Sequence, residues 1–103
     1  MKFVLSISFL RNGSAEENLA AARRLMDVYS KWTPPAGMTI SQFFSRCDGC
    51  GGFVVVETDN AADLISGTSK FAHFIDYQIY PVVEVAEGVQ ASQEAFSFLD
   101  SIT

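Results

Sequence analysis

A chain of 103 residues that is 49% hydrophobic and carries nine Phe has material for one core and no second, which argues against disorder and against two domains. Its net charge is −5, and its seven Lys and Arg are scattered from Lys2 to Lys70 rather than gathered into a stripe. That distribution argues against nucleic-acid partners and against anionic membranes.

The first ten residues, MKFVLSISFL, meet the lower length limit of a secretory apolar segment, and Ala20-Ala21-Ala22 could imitate a cleavage site. Phe3, Leu5, Ile7 and Phe9 alternate with Val4, Ser6 and Ser8, however, and Arg11 and two glutamates follow closely. The segment reads as a first strand over residues 2–10, and the protein as cytoplasmic. No stretch has the roughly 20 apolar residues of a membrane helix.

Ser14 is a candidate N-cap, with Glu16 and Glu17 placed where the helix dipole favours negative charge. The spacing of Leu19, Ala22, Leu25 or Met26, and Tyr29 predicts a helix that runs to about Trp32 and stops at Pro34-Pro35. Met38–Arg46 and Gly52–Thr58 read as a hairpin around Asp48-Gly49, a pair that signals a tight type I′ turn. That turn predicts pairing of Phe44 with Phe53, Gln42 with Val55 and Ile40 with Glu57. Phe53 to Val56 reads as a strand apolar on both faces.

Asp59 or Asn60 is the expected cap of a second helix ending near residue 73. A fourth strand follows over residues 76–85, and Pro81, which lacks an amide donor, makes it an edge strand or bends it there. A last amphipathic helix is expected over residues 89–102. The order β-α-β-β-α-β gives an α+β, ferredoxin-like sandwich over about residues 1–86, with an extra C-terminal helix, in one domain spanning 1–103. Strands three and four read as apolar on both sides, so the sheet's open face calls for a cover. A second copy would supply it in a homodimer, or the third helix would supply it within one chain.

Met-Lys-Phe at the start, Pro34-Pro35-Ala36-Gly37, the run from Asp48 to Asp59 and Tyr80-Pro81-Val82-Val83 resemble a small bacterial family known only as a domain of unknown function, the 3303 family. The resemblance covers about residues 1–86 and implies a dimeric α+β barrel of ferredoxin-like halves, with no activity assigned. The wider superfamily implied includes cofactor-independent monooxygenases, haem-degrading enzymes, isomerases and non-catalytic members, among which fold cannot choose.

Few residues invite chemistry. Cys47 and Cys50 could form a disulfide or ligate metal, but a structural zinc site needs four ligands and the chain has two Cys, so they read as free thiols. His73 is the single histidine, hence the natural general base or axial ligand. Haem-degrading relatives place a ligating histidine on this helix, yet no Asn on strand one or Trp ahead of His73 completes their pattern. No cofactor or metal is therefore expected. Glu57 follows three valines and is a second candidate proton-transfer group. Ser6, Ser8, Gln78 and Tyr80 are candidate ligand-binding residues on one sheet face, with Tyr77 and Trp32 as aromatic company. Two functions compete. The favoured one is a non-catalytic homodimer that binds a small molecule or a partner protein. The alternative is a cofactor-independent monooxygenase or isomerase that uses His73 or Glu57 on an aromatic or carbonyl compound.

Overall fold

A computed structural model describes residues 1–102. The elements run β1 (Lys2–Phe9), α1 (Ala15–Lys31), β2 (Met38–Ser45), β3 (Gly51–Thr58), α2 (Asp63–Phe71), β4 (Ile75–Val82) and α3 (Val85–Ser101). All neighbouring strands are antiparallel, in the order β2-β3-β1-β4. That order with this element sequence is the ferredoxin-like α+β arrangement. Pro81 sits on edge strand β4, where its missing N–H costs no ladder bond on the solvent side.

Ser14 caps α1 as its sequence position implies. Its Oγ accepts the Glu17 N–H and Glu17 Oε1 accepts the Ser14 N–H, both at 3.1 Å, a complete capping box. The Ser14 N–H holds the Glu17 carboxyl below its ordinary pKa. α2 begins at Asp63, later than its expected caps. Asn60 Oδ1 instead accepts the Ala62 N–H at 3.1 Å, and buried Thr58 donates to Asp63 Oδ2 at 2.6 Å. α2 stops at Phe71 and β4 at Val82, each earlier than their apolar patterns indicate, while α3 starts at Val85 rather than near 89.

The hairpin differs in two ways from the sequence reading. A type I′ turn needs two residues with positive φ, whereas among the described residues Gly49 alone has one, at 73°. The strands are joined instead through a longer loop, in which Arg46 N–H donates to the Gly51 carbonyl and Gly49 N–H to the Arg46 carbonyl. Phe44↔Phe53 and Gln42↔Val55 pair as expected, but Ile40 pairs with Val56, not Glu57. A bulge at Ser41 accounts for the shift, and the Ser41 hydroxyl donates to the Val55 carbonyl at 3.1 Å. The bulge reverses the facing of the strand's first half. Met38 and Ile40 therefore share the helix-side face with Phe43.

On that face Phe3, Leu5, Ile7, Val54, Val56, Leu64, Phe71 and Ile75 form the core, with Val56 only 2% exposed. The other face stays open: Phe44, Phe53 and Tyr80 are 55%, 43% and 51% exposed. The expectation that α3 could cover this face within one chain does not hold. No residue of α3 is buried, and the molecule extends 63 Å along its longest axis with a radius of gyration of 18.3 Å. A folded domain of this length has a radius near 13 Å. α3 is an arm.

Candidate functional site

α1 rests on the sheet through Leu25, Val28 and Trp32, none of them fully buried. Its expected contact residues Leu19 and Met26 remain more than half exposed. This loose seat leaves a cavity of about 370 Å³ between the two helices and the sheet, a volume in the range of small-molecule sites. Its walls are apolar and aromatic. α1 supplies Tyr29 and, just past its end, Trp32, α2 supplies Leu64 and Phe71, and β2 supplies Met38, Ile40 and Phe43. The rings are set edge-on: Trp32 to Phe71 at 5.6 Å and 86°, Tyr29 to Phe43 at 6.2 Å and 87°. The Trp32 indole lies over Gly67, where an added Cβ would stand 3.2 Å from the ring.

Tyr29, Ser45, Thr68, Trp32 and Tyr77 bring polar groups to this otherwise apolar lining, and the last two are the most perturbed. Trp32 Nε1 is the one buried side-chain nitrogen or oxygen among the described residues without a hydrogen-bond partner. An unpaired buried donor costs about 1–3 kcal/mol; because Nε1 is shielded from solvent, an acceptor reaches it only when the Trp32 ring or its neighbours shift. Tyr77, on β4, also lines the cavity, and burial pushes its phenol up to about 12.

Of the residues singled out from sequence, Trp32 and Tyr77 line this cavity and the others lie elsewhere. Ser6, Ser8, Gln78 and Tyr80 do gather, on the open face: Ser6 pairs with Gln78, and Tyr80 Oη lies 2.8 Å from Gln78 Oε1. Trp32 and Tyr77 are on the opposite side of the sheet, which separates them from those serines. Glu57 is exposed on the open face, paired in register with Lys2. Lys2 bonds Glu84 at 2.7 Å, which raises the lysine and lowers the carboxylate from their ordinary pKa values. His73 is exposed in the turn between α2 and β4. Neither His73 nor Glu57 lines the cavity, and the two are not brought together.

Cys47 and Cys50 are free, the first exposed and the second half-buried. Arg11 ties their loop to the end of β1, donating to the Gly49 carbonyl at 2.7 Å. Asp48, hydrogen-bonded by the Cys50 N–H and paired with Arg46, is held below its ordinary pKa. Among the described residues no group of three His, Cys, Asp or Glu could hold a metal, and no helix is long and apolar enough to cross a membrane.

Sequence reasoning did not single out Met38, Ile40, Phe43 or Phe71 as site residues. The available signal was a break of phase in β2: apolar residues at 38 and 40, then 43, which a bulge alone brings to one face.

The family model described as a domain of unknown function, DUF3303, matches residues 1–96. The chain belongs to this family. The match reaches well into α3, past the point where the resemblance read from the sequence ends. No curated protein matches. Among solved structures the DUF3303 chain is similar to a mutant of SnoaB, described as a cofactor-independent oxygenase from Streptomyces nogalater. The identity is 13%, over 81% of this chain and 94% of that one, with a TM-score of 0.31. So loose a superposition carries no argument about fold or activity, and the fold here rests on the chain's own strand order.

Proposed function

We propose that this DUF3303 protein is a non-catalytic homodimer that binds a small aromatic, largely apolar molecule between helices and sheet. The observation that carries this reading is the 370 Å³ aromatic cavity that includes Trp32, whose indole N–H has no acceptor. The walls select for apolar surface, and the indole donor, once a shift of the Trp32 ring brings it to the cavity surface, would select for one acceptor, a carbonyl or ether oxygen. Among the lining residues described there is no carboxylate and no imidazole, which supports binding over acid–base catalysis. The dimer is supported by the open face, where Phe44, Phe53 and Tyr80 stand in water. Two copies related by a twofold would bury the same residues of both.

The test uses 1-tetralone and its carbonyl-free counterpart tetralin. Trp32 is the only tryptophan, so its emission reports on the cavity directly. The ketone is expected to shift that emission saturably and to bind roughly 3–10-fold tighter than tetralin, the value of one hydrogen bond. Trp32→Phe should erase the difference in calorimetry, and Thr68→Met, which fills the cavity from α2, should weaken both ligands. Unchanged Trp32 emission with either compound at millimolar concentration would refute the reading.

A further inference from the structure

α3 has the composition of a helix that lies against something. Val85, Val89, Phe96, Phe98 and Leu99, continued by the C-cap Ile102, fall on one half of its circumference, with Glu87, Gln90, Glu94 and Ser97 on the other. In this chain that apolar half faces water: those six side chains are 49% to 81% exposed. Seventeen residues make a helix that is marginal in water without tertiary support, so an arm of this kind calls for a surface to bury it. The arm carries Glu87, Glu94 and Asp100 and no Lys or Arg, which disfavours an anionic membrane.

Its point of departure indicates the partner. Lys2 and Val82 project from the open face of the sheet, and Lys2 Nζ holds Glu84, the N-cap of α3, at 2.7 Å. The arm therefore leaves from the rim of the face that exposes Phe44, Phe53 and Tyr80. A body seated on that face comes to lie beside the arm. The arm and the exposed rings together leave on the order of 1,000 Å² of apolar surface open, against roughly 800 Å² contributed by each side of a stable interface.

We infer that α3 is an exchanged arm, packing its apolar half onto a second copy of this chain while the partner's arm packs onto the first. The inference rests on the homodimer proposed above and adds the element that holds it together. A twofold axis through the open faces makes the exchange reciprocal and closed, so it ends at two chains.

Sedimentation equilibrium of the full chain is expected to give twice the monomer mass of 11.3 kDa at micromolar concentration. The double variant Phe96→Glu and Leu99→Glu should weaken the dimer at least 100-fold, and Phe53→Lys on the open face should weaken it as well. Both alter exposed side chains, and unchanged protection of β1 and β3 amides confirms that the body stays folded. A dimer split by Phe53→Lys but untouched by the arm variant would overturn the arm and leave the homodimer standing. A wild-type monomer at 100-fold higher concentration would overturn both. Hydrogen exchange of wild-type α3 gives a second readout: amides of residues 89–101 should be slow in the dimer and accelerate on dilution. Exchange as fast as in a free peptide would refute the exchange.

Discussion

Gly51→Ala is the substitution whose outcome the geometry fixes most tightly. Gly51 pairs with Ser8 across the two central strands, and a Cβ built there would stand 1.8 Å from the Ile7 carbonyl oxygen. Non-bonded carbon and oxygen need roughly 3.3 Å, so β1 and β3 must part by about 1.5 Å at this point. The obstructing atoms, the Ile7 carbonyl oxygen and carbon and Ser8 Cα, all belong to backbone, and no side-chain rotation relieves the overlap. The neighbouring Phe9 N–H to Cys50 carbonyl bond, now 2.9 Å, would open far beyond hydrogen-bonding range. Loss of two or three such bonds at about 1 kcal/mol each, with water admitted to Ile7, gives a destabilisation of about 3 kcal/mol. In a domain of this size that lowers Tm by roughly 12–24 °C. Urea unfolding followed by far-ultraviolet circular dichroism measures it. A loss below about 0.5 kcal/mol would show that the strands do not approach as described, and the cavity wall at Gly51 and Gly52 would need redrawing.

Ser14→Ala removes the capping box of α1 and should cost about 1 kcal/mol in the same urea assay, with amide exchange rising first at Glu17 and Asn18. Tyr77 gives a signature in alkali. Its folded-state pKa of about 12 lies above its ordinary value of 10, so the stability it confers is complete below pH 10 and is lost as pH rises from 10 toward 12. Tyr77→Phe should flatten that part of the stability-pH curve, and an unchanged slope between pH 9 and 11.5 would show the phenol to be solvated. Glu17 and Glu84 run the other way: both are held below 4.5, so their contribution is present above that pH and fades in acid.

Local chemistry made much of this architecture legible. Ser14 with Glu17 marks the start of α1, Pro34-Pro35 its end, and Pro81 the edge strand, because each acts on a backbone donor within a few residues of itself. Alternation in β1 groups Phe3, Leu5, Ile7 and Phe9 on one face because the pleat has a fixed period of two, and the first three are buried there while Phe9, at the strand end, is exposed. The same period places Ser6, Ser8, Gln78 and Tyr80 on one face.

The site was not legible in the same way. A single inserted residue at Ser41 reverses the facing of Met38 and Ile40, and period-two reasoning carried through a bulge lands on the wrong side of the sheet. The cavity exists because α1 sits loosely, with Leu19 and Met26 outside, and the distance of a helix from a sheet is a property of fitted volumes rather than of spacing along the chain. α3 shows the same division. Its amphipathic pattern is written in residues 85–102, but that it stands away from its own domain, beginning at the Lys2–Glu84 pair, only the tertiary structure decided. Periodicity tells a helix that it has an apolar side; where that side goes depends on surfaces brought together from distant parts of the sequence.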